Sequence, residues 1–158
     1  MQKTNVMRIL EQSRIPYEPH SYPHGATPPD GLQVAAALGR EPGQVFKTLV
    51  ARGASKSCCV FVIPVDCELD LKKAAAAAGE KSVAMLHLSE LTPTTGYVRG
   101  GCSPIGMKKR FPTFFDDSAR QWGTILVSAG KIGFQVELAP DALVTMTGGC
   151  YAPLKCED

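Results

Sequence analysis

The residue types best suited to chemistry cluster in residues 95–116, TGYVRGGCSPIGMKKRFPTFFD. Cys102 and Ser103 are candidate nucleophiles. Arg99, Lys108, Lys109 and Arg110 are cationic, and no acidic residue appears before Asp116. Gly100, Gly101 and Gly106 let backbone approach a ligand closely. Free N–H groups beside cations suit a phosphate or a developing oxyanion.

The familiar motifs fail in turn. A thiol enzyme at Cys102 needs a base to form thiolate, and His20, His24 and His87 are all remote in sequence. The run Gly-Cys-Ser-Pro-Ile-Gly is not a G-x-S-x-G elbow, and Pro104 removes the N–H that such an oxyanion hole uses. Gly101 to Lys109 lacks the G-x-x-x-x-G-K-[ST] of a P-loop. No two of the 6 cysteines form a C-x-x-C pair, and the histidines and acids show no metal-ligand spacing. What survives is a backbone loop together with one embedded lysine. Lys47 lies inside the strand-like run 45–51, VFKTLVA. Such a side chain either faces solvent or points into a cleft, and in a central strand it becomes a site candidate. Lys108, Lys109 and Arg110 read equally as a solvated basic turn or a phosphate patch.

The elements that must hold these residues follow from local signals. Thr4 caps a first helix with Val6, Ile9 and Leu10 on one stripe, and Pro16 ends it. Residues 17–22 are extended, with Tyr22 a half-buried aromatic. Asp30 caps a helix over 32–38 closed by Gly39, and Asp70 caps another over 71–78 closed by Gly79. Residues 58–65, CCVFVIPV, form the most apolar strand and a central one. Further strands are expected at 82–85, 97–98, 112–116, 124–127 and 133–138. Ser89 caps a helical turn that stops before Pro93, Pro140 opens a last helix, and the tail from Cys150 is loosely ordered. Helices and strands do not alternate regularly, which favours a mixed or antiparallel sheet over a doubly wound parallel one.

At 158 residues, with 44% hydrophobic and 20% charged residues, one domain with a real core is expected. The net charge of +2 selects no partner class. The longest apolar runs are too short to span a bilayer, and residues 1–14 lack a signal-peptide core, so a cytoplasmic protein with reduced thiols is expected.

Several of these stretches together resemble one family. They are Val45-Phe46-Lys47-Thr48-Leu49, Leu69-Asp70-Leu71-Lys72-Lys73, the run from Thr95 to Arg110, Ser128-Ala129-Gly130-Lys131 and Val136-Glu137-Leu138. The sequence is similar to the YbaK/EbsC aminoacyl-tRNA deacylases, of the superfamily that includes the editing insertion of bacterial prolyl-tRNA synthetase. The resemblance implies an α+β fold, a mixed and partly barrel-like sheet surrounded by helices, over a single editing domain, 1–158. It implies hydrolysis of a mischarged amino acid, chiefly cysteine, from tRNA(Pro) in trans, with tRNA and prolyl-tRNA synthetase as partners and no cofactor or metal.

By the same resemblance Lys47 holds the 3′ end of the tRNA, and Gly101-Cys102-Ser103-Pro104 matches a G-x-x-P loop that lines the aminoacyl pocket. Tyr22 and Tyr97 match pocket tyrosines. Near Asp30 the loop is shortened to Thr-Pro-Pro-Asp-Gly where relatives often carry an aromatic, and Gln135 stands where an aspartate is found. The implied chemistry is attack by the substrate's own thiol; for that step Gly100 and Gly101 are expected to present N–H groups to the ester. Lys108, Lys109 and Arg110 become the candidate tRNA contact. Clearance of alanine by water, or tRNA binding without turnover, are the alternatives, and the oligomeric state stays open.

Overall fold

Residues 2–157 are described by a computed structural model. In chain order the elements are α1 (Asn5–Gln12), β1 (Glu18–Ser21), α2 (Gly31–Leu38), β2 (Phe46–Gly53), β3 (Cys58–Pro64), α3 (Leu71–Ala78), β4 (Val83–Met85), α4 (Leu88–Thr95), β5 (Thr113–Asp116), β6 (Ile125–Ser128), β7 (Phe134–Leu138), α5 (Pro140–Thr147) and β8 (Cys150–Ala152), with short 3₁₀ turns at Pro42–Gln44 and Asp117–Gln121. The apolar run at Cys58 becomes the middle strand of a five-stranded sheet ordered β4-β2-β3-β5-β8. β2 and β3 form an antiparallel hairpin in which Lys47 faces Ile63, whereas β3–β5 and β5–β8 are parallel. The second sheet, β1-β7-β6, is antiparallel throughout. Among the described residues a parallel bridge, Val45 to Leu126, joins the two sheets, which do not close into a barrel. The architecture is the expected mixed α+β one.

Side-chain alternation along β2 divides its residues between two faces. Phe46 and Val50 point into the main core with Val6, Leu10, Val62, Phe115, Val127 and Val136. Thr48 shares that face by its spacing. Leu49 and Ala51 take the opposite face, under α3, with Phe61, Ile63, Ala74 and Ala75. The alanines of α3 permit its close approach to the sheet. Each fully buried aliphatic side chain contributes about 1.5–3 kcal/mol.

Three local expectations change. α4 runs through Pro93 to Thr95 rather than stopping before it. Its last turn is held instead by Thr95 Oγ1 donating to Leu91 O (2.8 Å), Gly96 N to Thr92 O (2.8 Å) and Thr92 Oγ1 to Tyr97 O (2.9 Å). Residues 97–98 form no strand, because Tyr97 is turned back into that cap. The tail is docked: β8 pairs with β5, Leu154 is fully buried, and Asp116 Oδ1 accepts from Leu154 N (3.0 Å) and Lys155 N (3.2 Å). No helix among the described residues is long and apolar enough to cross a membrane.

Candidate active site

Lys47 stands near the start of β2, where three pieces of chain converge on it. The first is the entry to α2. Asp30 accepts from Gln33 N (2.8 Å) while Gln33 Oε1 accepts from Asp30 N (2.8 Å), a reciprocal cap that fixes residues 27–31. Gly31 follows because α2 begins against the end of β3: a Cβ there would lie 2.5 Å from Val65 Cγ1. The second piece is the glycine loop. Gly100 has φ +87°, and a Cβ would meet Pro28 at 2.9 Å, so this glycine permits contact between the two loops. The third is the small sheet, which supplies Tyr22, Ser128 and Gln135.

Together these pieces line two adjoining pockets, an inner and an outer part of one cleft. The inner part, about 120 Å³, is lined by Tyr22, Lys47, Thr48, Gly100, Cys102, Ser128 and Gln135, among others. The outer part, about 900 Å³, shares Lys47, Thr48, Gly100 and Cys102 with it. Its mouth adds Asp30, Arg99 and the exposed apolar side chains Leu32, Met85 and Leu88. Lys47 forms no salt bridge among the described residues, which leaves its charge available to an anion.

The predicted residues divide accordingly. Lys47, Gly100, Cys102, Tyr22 and Gln135 line the inner cavity, and Asp30 lines the outer one, with its carboxylate engaged in the cap. Gly101 is not among the lining residues, and its N–H is donated to Val98 O (3.0 Å), so the expected second backbone donor is already used. Ser103 is fully buried, and its Oγ accepts from Ile105 N (3.3 Å). Tyr97 braces the loop from behind, donating to Ile105 O (2.5 Å) with its ring against Gly130. Pro104, Lys109 and Arg110 border a separate cavity of about 210 Å³. Arg110 also donates to Met146 O (2.5 Å), and Lys108 lies across Gly96. The basic run therefore does not converge on Lys47. Sequence reasoning passed over Thr48 as a site residue, and counted Arg99 only among the cations of the glycine loop. A hydroxyl two residues from each of two core side chains was the available signal for Thr48.

Electrostatics bear on the nucleophile question. Burial pushes the Cys102 thiol up to about 12, so it stays protonated at neutral pH. Burial likewise lifts Tyr97 to about 12. Two residues beyond Gln135, Glu137 is buried yet charged. It accepts from Thr124 Oγ1 (2.6 Å), Arg40 Nη1 (3.0 Å) and Arg40 Nη2 (2.9 Å), and pairs with His20 Nε2 (2.8 Å). Burial alone would raise its pKa, but the bonds from Thr124 and His20 and the Arg40 charge outweigh that and lower it. Glu18, His20 and Glu137 place ligand atoms within 4.8 Å of one another. With both Glu137 oxygens engaged, the group reads as an ion-pair cluster that joins β1, β6, β7 and the end of α2.

Among the described residues, the two-sheet fold sets a lysine without a salt bridge beside a glycine wall. The chain belongs to the aminoacyl-tRNA editing domain family, whose profile matches residues 25–146. Over 157 residues it is 50% identical to EbsC of Enterococcus faecalis, a candidate Cys-tRNA(Pro)/Cys-tRNA(Cys) deacylase, covering 99% of this chain and 96% of the relative. The fold is shared with a candidate trans-editing enzyme for prolyl-tRNA synthetase (24% identity, TM-score 0.83, 99% of this chain and 100% of that one). It is also shared with the hypothetical protein APE2540 (21% identity, TM-score 0.87, 97% and 100%).

Proposed function

We propose that the protein is a trans-acting deacylase that clears a mischarged amino acid, cysteine foremost, from tRNA(Pro). The observation that carries this reading is the two-part cavity with Lys47 common to both parts. The inner part, about 120 Å³, is much smaller than the outer part, about 900 Å³, as suits a small aminoacyl side chain beside a nucleotide. The outer part has room for the terminal nucleotide, and Lys47 and Arg99 supply positive charge for its phosphate or ribose. The identity to EbsC supports the same substrate class.

The mechanism uses the substrate's own sulfur. Its thiol attacks the ester carbonyl carbon, a C–S bond forms, and the C–O bond to the ribose breaks. The thiol proton ends on the ribose oxygen, giving a cyclic thiolactone and free tRNA. The protein then needs only to hold the ester and stabilise the oxyanion. A Cys102 thiol held protonated fits a site that brings no nucleophile of its own. Lys108, Lys109 and Arg110 contact the tRNA backbone in this reading, and prolyl-tRNA synthetase is the transient partner that delivers the substrate.

Comparing Cys-tRNA(Pro) with Ser-tRNA(Pro) tests the route, because the two differ by sulfur against oxygen. Clearance of the cysteinyl ester alone is expected. Equal clearance of both, or of Ala-tRNA(Pro), indicates water as the nucleophile instead. Binding of all three without turnover overturns the enzymatic reading.

A further inference from the structure

Among the described residues three buried side-chain oxygens have no hydrogen-bond partner, Ser118 Oγ, Thr48 Oγ1 and Gln135 Oε1, and the last two belong to residues that line the inner cavity. Buried polar groups are nearly always paired, so two orphans on the residues of one small cavity call for a reason. The cross-strand neighbours of Gln135 bond to other groups. Ser128, opposite it on β6, accepts at its Oγ from Gly130 N (3.1 Å). His20, opposite it on β1, is drawn to Glu137 (2.8 Å). Thr48 faces only Val62 across the hairpin. Two residues along β7, Glu137 is fully supplied with donors, so the strand's surroundings can satisfy a polar side chain there.

We infer that Gln135 and Thr48 form the subsite that reads the α-amino group of the aminoacyl ester; this rests on the deacylase reading above. An amide Oε1 can only accept, so its partner must bring N–H or O–H. The α-amine does so in either protonation state, and the Thr48 oxygen accepts a second N–H. The terminal torsion of a glutamine is soft, so Oε1 turns into the cavity without leaving a rotamer well. A neutral acceptor also avoids a carboxylate that would pair with Lys47. The substrate class narrows in consequence. The site takes esters with a free α-amine, and peptidyl-tRNA, whose amine is acylated, is excluded.

The test compares Cys-tRNA(Pro) with 3-mercaptopropionyl-tRNA(Pro), which keeps the thiol and the ester but lacks the amine. Wild-type protein is expected to prefer the cysteinyl ester by about 10–100-fold in kcat/KM, the range for a hydrogen bond to a charged group. Gln135→Met and Thr48→Val are expected to shrink that preference severalfold, mainly through KM, with no loss of resistance to urea, because an isosteric apolar group relieves an orphaned acceptor. Equal turnover of the two esters by an active wild type overturns the subsite and leaves the deacylase reading standing. Equal loss on both esters in Gln135→Met, or a drop in its stability, assigns the amide a structural role and also overturns the subsite. A wild type inactive on Cys-tRNA(Pro) overturns the deacylase reading, and the subsite with it.

Discussion

Replacing Glu137 by glutamine keeps its shape and removes the charge that Arg40 and His20 share. The carboxylate is 8% exposed, its partners Arg40 and His20 30% and 20%. Removing one member of a buried pair costs about 3–5 kcal/mol. Because Arg40 and His20 can partly rehydrate, the lower end, about 3 kcal/mol, applies here. With a urea m-value of about 2 kcal/mol/M, the unfolding midpoint of Glu137→Gln should fall by about 1.5 M at pH 7. The pH dependence supplies a second check. The folded pKa of Glu137 lies below its ordinary 4.5. Its contribution is therefore present above that value and lost as pH falls through the folded pKa. The gap between wild type and variant should narrow below pH 4.5. Activity should fall too, because the cluster anchors the end of α2 and the strand that carries Gln135. A midpoint shift under about 0.3 M, or a gap that does not depend on pH, refutes the clamp.

Cys102→Ser should lower turnover of Cys-tRNA(Pro) by less than about tenfold, measured in single turnover. Loss of a true nucleophile costs roughly a millionfold, and such a loss would reinstate Cys102 as one. Leu154→Ala should cost about 2–5 kcal/mol in urea unfolding, because Leu154 is fully buried in the docked tail; a neutral result would mean that the tail adds nothing to the fold.

Signals that act within a few residues were legible in the sequence. Asp30 and Asp70 cap their helices, and Gly39 and Gly79 close them, as the side chains and the left-handed glycines dictate. The Lys47 strand and the glycine loop were legible through chemistry and resemblance. What was not legible depends on distant partners. β8 exists because β5 offers an open edge and Asp116 receives the backbone beyond it, and nothing in Cys-Tyr-Ala announces that. Tyr97 looked like a pocket residue, yet its hydroxyl is taken by Ile105. Gly101 looked like an oxyanion donor, but a turn to Val98 occupies its N–H. Gln135 and Glu137 share a face two residues apart, and only the cross-strand neighbours separate an unpaired amide from a saturated carboxylate.

The most direct measurement is single-turnover deacylation of Cys-tRNA(Pro) by wild type and by Lys47→Ala, with Pro-tRNA(Pro) run alongside. Wild type should clear the cysteinyl ester and spare the prolyl ester, which has no thiol. Lys47→Ala should be slower by about 10²-fold or more, because the ester is no longer held in place by its terminal nucleotide, while unfolding at an unchanged urea concentration. Wild-type-like turnover by that variant, or equal clearance of the two esters, contradicts a cavity organised around Lys47.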